Sequence, residues 1–392
     1  MPDRSLHEIW MLENQVRYLN HGGFGACPTT ILDARFRWQK DFERNPLRFV
    51  FERFREQHEI SRKRLAEFIG AAPRNLVFTS NATEGVNTVL KSLDLRPGDR
   101  LITTNHAYPG CKAALQRVAE KSGGEVVTVD IPFPPSSMVQ MIEPILAEAE
   151  RGGRLALIDH VSSETALIFP VKEIVSGLAE RGVDTIIDGA HAPGMLPLDV
   201  DEIGAAWYAG NCHKWLCAPK TAGFIAAAPG RLDEIEPLVT SFGRGPDNPR
   251  ELEFFWRGTY DASVVFVLPE LLDFMDGLLP GGWPEIMRRN HDLAVAGRDL
   301  LMDLLGIDEA APESMLGSMA TLPLPDHELG ESLGLFREDP LARLLHEKHG
   351  IEVPVPHWPE PDRYKIRISA QLYNSLEDYE ALAAALAEEL RL

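Results

Sequence analysis

Lys214 stands in "GNCHKWLCAPKTAGF" (residues 210–224), between a histidine and a tryptophan, with small residues on both sides. Two readings are open. Its stem could cover apolar surface while its head reaches water, or the amine could be kept dry for chemistry. A lysine out of water loses its proton below the usual value of about 10.4 and becomes a nucleophile near neutral pH. Three other stretches could serve such an amine. "FTSNATEG" (78–85) sits where a strand gives way to a helix, and free N–H groups there, with Thr83, suit either a phosphate or an ordinary N-cap. "IIDGAHAPG" (186–194) puts Asp188 three residues before His191. That carboxylate could be a metal ligand, a cap or a catalytic anion, and the glycine and alanine after it let a flat ligand approach the backbone. Arg367 in "YKIRISAQLYN" (364–374) is a lone cation in an apolar strand, a setting in which arginine usually meets a carboxylate.

These residues need a scaffold that brings them to one edge. "NLVFTS" (75–80), "RLITTN" (100–105), "EVVTVD" (125–130), "RLALIDHV" (154–161) and "VDTIIDGA" (183–190) read as strands. Helical stretches at 82–94, 110–122, 138–151 and 171–182 separate them. β-Branched runs alternating with amphipathic helices predict a parallel sheet covered on both faces, with ligands at the carboxyl ends of the strands. Polar residues fall at those ends: Ser80 and Asn81, Asn105 and His106, Ser162 and Ser163, and Asp188. A Pro- and Gly-rich segment, "SFGRGPDNPREL" (241–252), closes this region. Beyond it, 262–279 and 340–350 read as helical, 364–369 as a strand, and the tail as an amphipathic helix opening at Ser375. "NPLRFVFERFREQHE" (45–59) reads as a helix with an apolar stripe and a basic face.

Composition narrows the class. The chain has 392 residues, 44% apolar and 25% charged, and a formal net charge of −20. Two domains are the default at this length. The charge argues against nucleic acid and anionic membrane surfaces, which need clustered Lys and Arg. No run approaches the roughly 20 apolar residues of a membrane span, and the charged start "MPDRSLHEIWMLE" is unlike a secretory signal. The expected compartment is the cytoplasm. Four cysteines make no disulfide framework, and Cys212, His213 and Cys217 lack the second ligand pair of a zinc site, so no metal is expected.

The ordered motifs "YLNHGGFG", "NPLRF", "LVFTSNATEGVN", "TTNHAYPG", "DHVSSETALIFPV", "DGAHAPGMLPLDV", "WYAGNCHKWLCAPKTAGF", "FFWRGTYDAS" and "IRISAQLYNSLEDYEAL" resemble the class V aminotransferases of pyridoxal phosphate fold type I. Over its whole length the chain looks most like the isopenicillin N epimerase-like branch. The resemblance implies an α/β fold, with a large domain over 19–261 built on a mainly parallel seven-stranded sheet between helices. A smaller α+β domain would comprise 1–18 and 262–392. It implies pyridoxal 5'-phosphate held as a Schiff base on Lys214, with Asp188 on the pyridine nitrogen. Asn81, Ala82, Thr83, Asn211 and His213 would lie at the phosphate and beside the lysine. Tyr108 would stack on the ring where many relatives have a histidine, Ser163 would reach the phenolic oxygen, and His191 would shape the pocket beneath the ring. Gly258 and Thr259 resemble a segment that reaches the neighbouring subunit's phosphate, so a homodimer with its site at the interface is implied. Asn20 and Arg367 would bind an amino-acid substrate, Arg367 through the α-carboxylate.

Cofactor and fold leave the reaction open. The cysteine desulfurases of this family need a cysteine on a loop before the C-terminal arginine motif, and none follows Cys217. Epimerisation is the first expectation, with β-elimination at a C–S bond and transamination as alternatives. A binding protein without catalysis would have lost Lys214 or Asp188, and both are present. Epimerisation needs a second acid opposite Lys214, for which Tyr108, His106 and Cys217 are candidates.

Overall fold

The computed structural model describes residues 4–245, 250–326, 338–359 and 363–392. Seven strands form one sheet: β1 (Leu76–Thr79), β2 (Arg100–Thr104), β3 (Glu125–Val129), β4 (Leu155–Asp159), β5 (Asp184–Gly189), β6 (Trp207–Asn211) and β7 (Gly223–Ala227). Their order across the sheet is β1-β7-β6-β5-β4-β2-β3. All pairings are parallel except those of β7, which runs antiparallel to both β1 and β6. Every residue of β4, β6 and β7 is buried, as expected of strands covered on both faces.

Helices α1 (Ala82–Ser92), α2 (Pro109–Ser122), α3 (Val139–Ala149) and α4 (Val171–Glu180) provide the cover. Local chemistry sets their ends. The Asn81 side chain caps α1 by accepting the Glu84 N–H at 2.8 Å. Pro109 opens α2, and Gly123, in the left-handed region, closes it.

A second assembly packs beside the sheet. The 24-residue helix α5 (Gly282–Leu305) lies against α6 (Leu376–Leu390) and against strand β8 (Met319–Pro323). β8 pairs antiparallel with β9 (Lys365–Ser369), in a register that sets Arg367 opposite Thr321. α6 opens with a capping box between Ser375 and Asp378. The N-terminal segment joins in, because Arg17 and Tyr18 pair with Ile351 and Glu352 and the Leu19 carbonyl accepts the Ser369 N–H. Among the described residues no helix is long and apolar enough to cross a membrane.

The predicted strands and helices of the 75–190 region all form within a few residues of the expected bounds. The 45–59 stretch is helical but changes pitch, with a π-helical turn at Val50–Phe54 between Pro46–Phe49 and Arg55–Phe68. Two glycines allow the chain to close around the lysine loop. A Cβ on Gly25 would come within 2.6 Å of the Lys214 carbonyl oxygen, and one on Gly223 within 2.5 Å of the Asn81 backbone.

Candidate active site

The carboxyl ends of β1, β4, β5 and β6 meet the N-termini of α1 and α2 and the loop that carries Lys214. At one end is the first turn of α1. Asn211, the last residue of β6, accepts the Ala82 N–H on its side chain at 2.7 Å. The Ala82 amide, expected to face a phosphate, is thus bonded to protein here, which leaves the Thr83 end of the turn to receive an anion.

At the other end two buried carboxyls stand side by side, Asp159 on β4 in register with Asp188 on β5. Asp188 accepts the Ala190 N–H at 3.1 Å on Oδ1 and the Cys111 thiol at 3.0 Å on Oδ2. Asp159 accepts the Tyr108 N–H at 3.2 Å on Oδ2, and its Oδ1 has no partner. Burial, and after it the neighbouring Asp188 charge, hold Asp159 well above the usual carboxylate range. Burial raises Asp188 too, while Cys111, Ala190 and the Lys214 charge pull it back. Of the two, Asp188 has the partners that favour its charged form.

Lys214 reaches into the same space. Its Nζ lies 3.0 Å from Nε2 of His191. Burial, with the Arg367 charge adding to it, brings the amine down to about 8. His213 bonds the Ala222 carbonyl at 3.0 Å through Nδ1, and burial lowers it to about 4, so it is neutral.

Arg367 supplies a third wall. Its Nη1 donates to the Ser163 carbonyl at 2.7 Å and to the Ser163 hydroxyl at 3.2 Å, and its Nη2 donates to Asn20 at 3.1 Å. Those acceptors are neutral, and its buried Nε has no partner. The structure thus brings Asn20, Ser163 and Arg367 into one group, and Lys214 and His191 into another beside Asp188. Tyr108, at the start of α2, is 38% exposed, and burial with nearby Cys111, Glu164 and Asp188 raises its phenol.

Gly258 and Thr259 stand apart. Arg257 ties their loop to Glu84 in α1 at 2.9 Å, Thr259 is exposed, and neither hydrogen-bonds the Lys214 group. The two other acid candidates are committed elsewhere. His106 bonds the Thr165 hydroxyl and the Ile131 carbonyl, and Cys217 is fully buried against His21 and Gln371. Among the described residues the metal-like cluster is His349, Glu388 and Glu389, where Lys348 already pairs with both glutamates.

Residues 19–330 match the aminotransferase class-V family. The chain belongs to that family. A probable chloroplastic L-cysteine desulfhydrase of Arabidopsis thaliana is 33% identical to it, over 94% of this chain and 82% of that protein. The isopenicillin N epimerase of Streptomyces clavuligerus is 32% identical, over 96% and 95%. Among solved structures, a C-DES mutant with glycine covalently linked to its pyridoxal phosphate superimposes with a TM-score of 0.83 at 22% identity, covering 99% of this chain and all of that one. The fold is that of the pyridoxal phosphate enzymes of fold type I, and the cofactor of this class-V protein is pyridoxal phosphate. Its residues fit that group: an amine brought down to about 8, a carboxyl buried in the interior, and an eleven-residue helix opening at the other end of the site.

Sequence reasoning passed over two members of this class-V site. Asp159 lies inside the run at 154–161 that reads as a strand, and Cys111 is one of the four cysteines to which the sequence gives no role. The available signal for Asp159 was an acid ending an apolar run, as at Asp188. For Cys111 there was none.

Proposed function

We propose that this class-V protein is a carbon–sulfur lyase that removes the sulfur substituent from Cβ of a cysteine-type amino acid. The observation that carries the reading is the likeness to L-cysteine desulfhydrases, 33% and 32% identical over 94% and 95% of this chain, and a base and an acid in the site suit it. Lys214, brought to about 8, can take a proton, and Tyr108, its phenol raised by burial and nearby anions, can give one. Elimination needs one base and an acid for the departing sulfur. Epimerisation needs the same kind of pair, with the acid opposite Lys214 across Cα.

In this reading Lys214 and Asp188 hold the two ends of the pyridoxal ring system, and Thr83, with the first turn of α1, holds the phosphate. The chemistry that bound pyridoxal phosphate supplies is an electron sink at Cα. Arg367 binds the substrate carboxylate through Nε and Nη2, with Asn20 and Ser163 fixing the guanidinium plane. The Lys214 Nζ takes the Cα proton. The Cβ–S bond breaks with its electron pair on sulfur, the Tyr108 hydroxyl gives its proton to that sulfur, and the proton that Lys214 took restores the phenol. Water then converts the remaining three-carbon fragment to pyruvate and ammonia. Asp159 holds the Tyr108 backbone and so sets where its ring lies.

The same reading includes a homodimer: Phe36, Leu47 and Phe51 are all more than half exposed, apolar side chains suited to a second copy. Gly258 and Thr259, outside the Lys214 group of their own chain, would then serve the partner's site.

Epimerisation is the second reading, favoured by the near-complete overlap with the Streptomyces clavuligerus epimerase. Incubation with L-cysteine, L-cystine and other amino acids in heavy water separates the two. Sulfide with pyruvate supports the lyase. Solvent deuterium at an inverted Cα without pyruvate replaces it with the epimerase, and keto acid without sulfide would mean transamination.

A further inference from the structure

Consecutive residues of the N-terminal segment serve the two cationic groups of this site. Asn20 accepts Nη2 of Arg367 at 3.1 Å, and His21 bonds the backbone carbonyl of Lys214 at 3.1 Å through Nε2. The segment is pinned between the elements it serves. The Leu19 carbonyl accepts the Ser369 N–H at 3.0 Å, and the Gly22 N–H donates to the Ser369 hydroxyl at 3.1 Å, on the same strand as Arg367. On the other side the fully buried His21 ring packs against Trp215, with ring centroids 4.9 Å apart.

The partners of that ring place its hydrogen. A carbonyl only accepts, so Nε2 carries the hydrogen toward Lys214. Nδ1 then accepts from the Tyr373 hydroxyl at 2.8 Å and from the Ala26 N–H at 3.4 Å. The Gln371 amide nitrogen, 3.3 Å from Nε2, donates instead to the Cys217 sulfur at 3.6 Å. The Lys214 carbonyl takes one bond from its own turn, the Cys217 N–H at 2.9 Å. His21 fills its second lone pair from the far end of the chain.

We propose that His21 is a positioning residue for Lys214: the run of bonds from Tyr373 through His21 to the Lys214 carbonyl fixes the backbone from which Nζ reaches His191 and the cofactor. Asn20 does the same for the Arg367 fork, so residues 19–22 hold the base in register with the substrate carboxylate. The inference rests on the roles of Lys214 and Arg367 given under the proposed function. A flexible four-carbon stem places its amine only as well as its backbone is placed. Without the His21 bond the 3.0 Å contact between Nζ and Nε2 of His191 loosens, and with it the preference for free amine. Replacing His21 removes no charge, since burial holds the ring at about 3. The ionisable groups facing it are Tyr373, Cys217 and Lys220, and those facing Lys214 are His191, Asp188, Glu164, Cys111 and Arg367.

The test reads the pH midpoint of the visible band of bound pyridoxal phosphate, without substrate, in the wild type, His21→Phe, His21→Gln and Tyr373→Phe. His21→Phe keeps a ring against Trp215 and loses the N–H, whereas a glutamine amide N–H reaches the same carbonyl. The expected result is that His21→Phe moves the midpoint upward by about half a pH unit to one unit, the scale of one neutral hydrogen bond. His21→Gln restores it, and Tyr373→Phe moves it the same way by less. With the amino acid that turns over, His21→Phe lowers kcat by about threefold to tenfold and leaves KM little changed, the mark of a displaced base. An unmoved midpoint in His21→Phe, or a glutamine variant no better than phenylalanine, would overturn the role and leave His21 a packing residue. Should His21→Phe not fold, Tyr373→Phe carries the test, and an unmoved midpoint there overturns it equally. Lys214→Ala separates this from a failure of the underlying reading, since the wild-type visible band retained in that variant would take the lysine off the cofactor altogether.

Discussion

The Nζ of Lys214 lies 3.0 Å from Nε2 of His191, and the other ring nitrogen of that histidine faces the indole N–H of Trp215 at 3.4 Å. Indole can only donate, so Nδ1 of His191 accepts and Nε2 carries the ring hydrogen. That hydrogen points at the lysine nitrogen, an arrangement that requires a lone pair there. Burial holds His191 well below its ordinary value, so the ring is neutral. The pair therefore favours Lys214 as free base.

His191→Leu removes the donor, and the lysine should recover part of its ordinary basicity. Its value lies near 8 in the intact site. A rise moves the pH midpoint for attachment of pyridoxal phosphate upward, because less free amine is present at any given pH below it. Each unit of rise costs about tenfold in free amine on the acid side. Following the visible band from about pH 6.5 to about 11, a range that spans the shifted and ordinary values, reads the midpoint directly. An unmoved midpoint would sink the idea that His191 sets the state of Lys214.

Arg367 is built to be completed by a carboxylate. Its hydrogen bonds run to Ser163 and Asn20, and its buried Nε has none. Arg367→Gln should raise KM for an amino-acid substrate about a hundredfold, the scale of losing a buried charge-assisted pair. Arg367→Lys should recover little, since a point charge cannot reproduce the planar fork held by Ser163 and Asn20. Cysteamine, which lacks the carboxylate, should be handled alike by wild type and variants. Equal losses for cysteamine and cysteine would mean that Arg367 merely supports the fold.

How far this was legible in the chain differs by residue. Lys214, Asp188 and Arg367 stood out because a charged side chain among apolar neighbours demands a reason wherever the fold places it. The strands β1 to β5 were legible from their apolar, β-branched runs. β6 and β7 were not named as strands, because "WYAGN" and "GFIAA" are built from small and aromatic residues whose strand character comes from their neighbours. The long helix α5 opens on Gly282 with no side-chain cap to announce it. Asp159 and Cys111 matter only through contacts with Asp188 that lie 29 positions away along β4 and β5 pairing and 77 positions away through α2. Such contacts belong to the sheet order, which no local pattern contains.

Tyr108→Phe tests the acid assigned to the departing sulfur. Phenylalanine keeps an aromatic ring at the start of α2 and leaves the backbone bond to Asp159 in place. Cofactor loading should be unchanged, while sulfide release slows by about ten- to a hundredfold, the low end for loss of a general acid. A substrate whose sulfur leaves without a proton, such as one bearing a nitrothiophenolate, should lose much less. Unchanged sulfide release would assign the proton to Lys214 instead, and equal slowing of both substrates would make Tyr108 a positioning residue.

His58 offers a prediction about stability that is independent of the reaction. Its ring is buried among Phe54, Phe78 and Phe255, and neither nitrogen has a partner. Burial, with Arg62 and Arg257 nearby, lowers it to about 3. In the unfolded chain the same ring takes a proton near the usual value of about 6.5. Between these values the unfolded state binds the extra proton, so stability rises with pH and this contribution is lost as the pH falls from about 6.5 toward 3. His58→Phe replaces two buried polar atoms without partners by carbon in a setting already lined with rings. It should stabilise the protein by about 1–2 kcal/mol at pH 7.5, and by more at pH 5.5, where the wild type pays the proton cost and the variant does not. Urea unfolding at the two pH values measures both gains. A variant less stable at both would mean that the cluster has no room for the larger ring, and a gain equal at both would mean that His58 does not contribute to the acid sensitivity.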